Sequence, residues 1–103
     1  MNNEEFLIDI ERGHLRSKKL LIRKEKEYSQ GKNRLEQFYR AGAAQDILPT
    51  EALLGMAMKH VTSIADMVKD PMGYNLRKWN EKITDLRNYT HLLDALVRDM
   101  GGE

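Results

Sequence analysis

The sequence predicts an all-α protein: about four helices in an antiparallel bundle that oligomerisation completes, one domain spanning residues 1–103. Three observations predict it. Apolar residues recur at helical spacing over long stretches, most clearly at Leu53, Leu54, Ala57, Met58, Val61, Ile64, Ala65 and Val68. Turn formers interrupt these stretches at Ser29-Gln30-Gly31, Asp46 to Pro49, and Asp70-Pro71-Met72-Gly73. No segment reads as a convincing strand.

The first helix is expected from about Glu4 to Tyr28, with Phe6, Leu7, Ile10, Leu20 and Leu21 apolar and a polar middle from Gly13 to Lys19. At 1.5 Å per residue it would be on the order of 37 Å long, against a radius of gyration near ~13 Å for a compact domain of this size. Such a helix either breaks near Gly13 or lies across a partner subunit, and the second is the expectation. Gly31 suits a left-handed helix cap. A second helix follows from about Asn33 to Ala44, with Leu35, Phe38 and Tyr39 inward. Thr50 is the expected N-cap of a third helix, Glu51 to about Lys69, with Pro49 just before it. Gly55, Ala57 and Ala65 allow close helix approach there. The fourth helix is expected from about Tyr74 to Met100, ended by Gly101-Gly102.

Composition narrows the function classes. There are no cysteines, which excludes disulfides, thiolate zinc sites and a cysteine nucleophile and fits a cytoplasmic protein. No apolar run approaches ~18 residues, so no membrane span is expected, and the Met-Asn-Asn-Glu-Glu-Phe start lacks the pattern of a signal peptide. Net charge is +1, yet residues 12–34 hold nine basic and two acidic side chains, so the rest of the chain is acidic. The basic segment is either a solvated helix face or a site for anionic ligands. General nucleic-acid binding is disfavoured, because no aromatic residues interleave the basic run to stack bases.

The residues that could carry chemistry lie on the last two helices. Leu76, Trp79, Ile83, Leu86, Leu93 and Val97 form one stripe of the fourth helix and read as plain core. A second stripe, Asp85, Tyr89, Leu92 and Leu96, turns polar halfway along, with Glu81 and Asn88 flanking it. Carboxylates on the extension of an apolar stripe are costly unless paired or used. Glu81, Asp85 and Asn88 either mark a face that has become exposed or line a polar pocket. Lys59, His60 and Ser63 sit within one turn of the third helix, from which Lys59 could neutralise Asp85 or meet a phosphate. Magnesium sites need several converging carboxylate oxygens, and on helices paired Glu-x-x-Glu and Glu-x-x-Asp motifs supply them. The chain has no Glu-x-x-Glu. The pairs Glu81/Asp85 and Asp66/Asp70 have wider spacing, so no metal and no cofactor is expected. No Gly-rich phosphate loop is present either.

Three segments together carry a resemblance: Lys26 to Phe38, Pro49 to Ser63 and Trp79 to Tyr89. In that order they resemble a family of small bacteriophage proteins with a "(D/E)Y…G…RL..F" turn, a "P.....G...KH..S" helix and a "W.EKI.D..NY" helix. That family is in turn similar to the MazG-like all-α nucleotide pyrophosphatases and to phage nucleotide-modification-associated domains. The resemblance covers roughly residues 24–97. It marks Tyr28, Arg34, Phe38, Lys59, His60, Ser63, Glu81, Asp85 and Asn88, and implies a helical homo-oligomer that handles nucleotides in the cytoplasm of an infected bacterium. The MazG-like metal motif is absent, and Lys82 stands three residues before Asp85 where a ligand Glu would be. A cation there favours direct recognition of a ligand's negative charge.

The expected function is therefore a phage-encoded, non-catalytic nucleotide-binding protein that sequesters a nucleotide immune signal of its host. Its partner would be a nucleotide or other phosphorylated small molecule. Arg34, Lys59 and His60 would contact phosphate, Asp85 and Asn88 would read base or ribose hydroxyls, and Ser63 and Glu81 would complete the site. Two alternatives use the same residues differently. One is a divergent magnesium-dependent nucleotide pyrophosphohydrolase holding its metal through Glu81, Asp85 and Asp66. The other is an oligomeric interaction module that blocks a host protein through residues 12–34.

Overall fold

The computed structural model of the chain describes residues 1–28 and 33–102, the side chains of 26–28 excepted. Among them are four α-helices and no strand: α1 (Asn3–Tyr28), α2 (Glu36–Gln45), α3 (Pro49–Met67) and α4 (Leu76–Asp99), with a 3-10 turn at Pro71–Gly73 before α4. The expected turn at Ser29-Gln30-Gly31 and the Tyr28 side chain lie outside the described residues.

α1 runs unbroken through Gly13. Asn2 starts it, its side-chain Oδ1 accepting the Glu5 N–H at 2.8 Å. At Gly13 α1 lies against the α4 side chain Arg87: a Cβ there would stand 2.8 Å from its guanidinium. The same guanidinium donates to Ser17 Oγ at 3.4 Å. Residues 1–9 are all exposed, so the first turns of α1 project as an arm. The radius of gyration, 15.6 Å, exceeds the compact expectation, and the long axis is 43 Å.

α2 begins at Glu36, three residues later than expected, because Asn33 to Leu35 form a turn in which Asn33 Oδ1 accepts the Leu35 N–H at 2.9 Å. α2 ends at Asp46 in the left-handed region, φ 56°, where a short Asx side chain is tolerated. Gly42 is required at the α2–α3 corner, since a Cβ would meet the Ile47 carbonyl oxygen at 2.8 Å. The N-cap of α3 is Leu48, not Thr50. Pro49 occupies the first helical position, where its missing N–H costs nothing, and the Glu51 carboxylate accepts the Leu48 N–H at 3.0 Å. Asn75 caps α4 by accepting the Lys78 N–H at 2.8 Å, and Trp79 Nε1 donates to the Pro71 carbonyl at 3.0 Å, pinning the turn before it. Gly101, φ 95°, closes the chain end in a conformation that favours glycine.

α3 packs on α2 and α4, and α1 packs chiefly on α4. The core is small: Leu35, Phe38, Leu53 and Leu96 are buried together, with Tyr39, Met56, Tyr89, Leu92 and Leu93 against them. The Tyr39 hydroxyl donates to Asp99 Oδ2 at 2.7 Å and ties α2 to the end of α4.

The faces of α3 and α4 differ from expectation. On α4 the stripe that reads as plain core is the more exposed: Leu76, Ile83 and Val97 face solvent, while Trp79, Leu86 and Leu93 are half-buried. The buried line is Thr84, Asn88 and Leu96, flanked by Asp85, Tyr89 and Leu92. On α3 the buried line is Leu53, Ala57, His60 and Met67, whereas Leu54, Met58, Val61 and Val68 are exposed. Both inward faces therefore carry polar side chains, and these meet.

Candidate functional site

The inward polar residues of α3 and α4 open onto a cavity of about 260 Å³ to which all four helical segments contribute. α1 supplies Leu21 and Lys24. The turn before α2 supplies Arg34, and α2 supplies Gln37 and Phe38. α3 supplies Lys59 and His60, and α4 supplies Asp85, Asn88, Tyr89 and Leu92. Helical spacing explains each pair: Lys59 and His60 are adjacent on α3, and Asp85, Asn88, Tyr89 and Leu92 repeat at i+3 and i+4 along α4.

His60 and Asp85 face each other across the helix interface, Nδ1 to Oδ2 at 3.6 Å, too far for a hydrogen bond. Asp85 thus faces the His60 ring, and no ion pair joins it to Lys59 among the described residues. The His60 ring tilts against Tyr89, centroids 5.2 Å apart. Four buried polar atoms on the cavity walls have no hydrogen-bond partner among the described residues: Arg34 Nε, His60 Nδ1, and both Nδ2 and Oδ1 of Asn88. A buried, unmade hydrogen bond costs roughly 1–3 kcal/mol, and native interiors contain few of them. Arg34 is held in place from its other end, Nη1 donating to the Leu21 carbonyl at 2.9 Å.

The His60 imidazole is pushed below its usual range. Burial is the main cause, partly opposed by the Asp85 carboxylate and reinforced by the ammonium groups of Lys59, Lys82 and Lys24. His60 is accordingly neutral at pH 7. The unfolded chain takes up a proton at this residue near pH 6.5 that the folded chain refuses. The stability that neutral His60 confers is present above that pH and is lost as pH falls towards the folded value. Acidification from pH 7 to 5 should lower the urea midpoint of the wild type more than that of His60→Gln. Equal drops would show that His60 is not buried as described.

An open groove of about 750 Å³ adjoins the cavity and shares Lys24 and Asp85 with it. Arg16, Lys19, Arg23 and Arg77 line it with Glu81.

Of the seven residues the sequence assigns to the ligand site, Arg34, Lys59, His60, Asp85 and Asn88 come together in the cavity, though they lie on three separate segments. Glu81 does not join them; it is exposed and lines the open groove. Ser63 is half-buried, one turn further along α3, and lines neither space. Lys24, Gln37 and Tyr89 are wall residues that the site reading omits. Lys24 sits inside the basic run, Gln37 lies one turn after Arg34, and Tyr89 belongs to the α4 stripe, so each carried a signal. No group of three or more His, Asp and Glu residues gathers to hold a metal ion among the described residues; Asp66 is exposed and does not line the cavity. No helix among the described residues is long and apolar enough to cross a membrane.

Compared with known proteins, the chain matches no protein family, no curated protein and no solved structure.

Proposed function

We propose that the chain is a non-catalytic nucleotide-binding protein. The observation that carries this reading is the set of unpartnered buried atoms on the cavity wall. Asn88 presents one donor and one acceptor without partners, which is what the edge of a nucleobase supplies in return. Lys24, Arg34 and Lys59 bring three cations to the same walls against one carboxylate, Asp85, which suits an anionic group such as a phosphate. The flat faces of Tyr89 and His60 are suited to stacking on a base. At about 260 Å³ the cavity lies just below the usual range of ligand sites, about 300 to 1,000 Å³, so it suits a single nucleotide better than a larger molecule. The flexible side chains of Lys24, Gln37 and Lys59 would move aside to admit it.

In this reading Arg34, Lys59 and Lys24 bind phosphate, and Asn88 and Asp85 read base or ribose hydroxyls. Neutral His60 offers a hydrogen bond rather than a charge. The biological role proposed with it is that of a phage-encoded protein that sequesters a host nucleotide signal. The protein is also proposed to act as a homo-oligomer, because α1 leaves much of its length unpacked.

Mass spectrometry of small molecules released by denaturing the purified protein tests the ligand. A nucleotide or related phosphorylated compound should appear in the wild type and be missing from Asp85→Ala prepared in parallel. Release of no phosphorylated compound, or equal release from both, would contradict the reading.

A further inference from the structure

The outward side of α1 has two features that belong together. Ile8, Leu15 and Ile22 recur every seven residues and are 44%, 52% and 49% exposed. That spacing places them in one line along the helix, away from the side on which Gly13, Ser17, Leu20 and Leu21 turn inward. The charges along α1 are unevenly divided between its halves. The N-terminal half carries Glu4, Glu5, Asp9 and Glu11 against Arg12, and the C-terminal half Arg16, Lys18, Lys19, Arg23, Lys24 and Lys26 against Glu25 and Glu27. Glu5 and Asp9 begin the same flank that Arg12, Arg16, Lys19 and Arg23 continue, so that flank runs from acidic to basic. Among the described residues no ion pair engages Arg16, Lys19 or Arg23, and Arg16 Nε is buried without a hydrogen-bond partner.

We propose that this face docks a second copy of the chain, with the two α1 helices antiparallel about a two-fold axis near Leu15. The proposal rests on the self-association put forward above and specifies its surface. A two-fold contact must be self-complementary, and α1 meets that condition in one orientation only. In an antiparallel pair each flank of the helix meets the same flank of its copy, running the other way. Glu5 and Asp9 of the partner subunit then face the Lys19 and Arg23 region, while Leu15 meets its own copy and Ile8 lies towards Ile22 of the partner subunit. A parallel pair would set acid against acid and base against base, which is unfavourable. Because Arg16, Lys19 and Arg23 line the groove that shares Lys24 and Asp85 with the ligand cavity, the pairing brings the partner's acidic half beside the ligand site.

Light scattering and sedimentation test the pairing, with circular dichroism confirming unchanged helicity. The wild type should have dimer mass, and Leu15→Glu should be monomeric. The double variants Glu5→Lys/Asp9→Lys and Lys19→Glu/Arg23→Glu should each self-associate at least tenfold more weakly. Mixing equal amounts of the two should restore a tight heterodimer. A monomeric wild type would overturn both the pairing and the self-association. An oligomer that survives Leu15→Glu and both charge reversals would overturn this pairing alone. Weakened variants that fail to recover on mixing would overturn its antiparallel orientation.

Discussion

Asn88→Leu should make the ligand-free protein more stable and abolish its binding of ligand. Asn88 sits on the buried line of α4 with both side-chain polar atoms unpartnered. Removing two buried, unsatisfied groups and replacing them with an apolar side chain of similar size relieves part of their desolvation cost, on the order of 1–3 kcal/mol net. Leu also favours the helix more than Asn. The same change strips the donor and acceptor from the cavity and leaves the ligand's complementary groups unpaired, a loss of roughly 10²–10³-fold in affinity. Thermal unfolding without ligand measures the first effect and titration the second. A rise in stability together with a loss of binding is the signature of a residue kept for function. If Asn88→Leu destabilises the ligand-free chain instead, Asn88 has a structural role.

Phe38→Ala should cost about 3–5 kcal/mol of stability. Phe38 is 1% exposed and packs with Leu35, Leu53 and Leu96 in the only core cluster of the described residues. With so few fully buried side chains the core has little capacity to absorb the gap, and domains in general are stable by only about 5–15 kcal/mol. Phe38 also lines the ligand cavity, so the variant should bind poorly even where it remains folded. Urea unfolding monitored by circular dichroism reads the loss. A cost below about 1 kcal/mol would mean that Phe38 is not the centre of the core.

The helices and the breaks before α3 and α4 were legible because Pro49, Pro71 and Gly73 interrupt strong helical periods. Which face of each helix turns inward was not. On α4 two neighbouring stripes both satisfy the helical period, and the one with more apolar residues, Leu76 to Val97, reads as core. The partners of α4 decide otherwise. α3 presents His60 on its inward line, and that side chain meets Asp85 and the region of Asn88 rather than Ile83. A polar interruption on a buried stripe looks like exposure until the facing helix is known. Five of the seven residues assigned to the ligand site nevertheless share one cavity: His60 and Asn88 lie on the inward lines of helices that pack together, Lys59 and Asp85 stand beside them, and Arg34 joins from the turn before α2. Glu81 falls outside because it lies one turn before Asp85, where the cavity gives way to the open groove. Lys24 joins through the packing of α1 on α4; its place in the basic run signals a cation but not the helix it meets. The Thr50 expectation failed for a local reason: proline at the first helical position moves the cap back to Leu48.

The central claim is that the cavity between α3 and α4 binds a nucleotide through Asn88 and its cationic walls. Isothermal titration of the purified protein against linear and cyclic nucleotides tests it most directly, with Asn88→Leu run beside the wild type. The account predicts saturable binding of at least one nucleotide at micromolar concentration, lost in Asn88→Leu while that variant melts no lower than the wild type. No binding by the wild type, or binding that Asn88→Leu leaves undiminished, would contradict it.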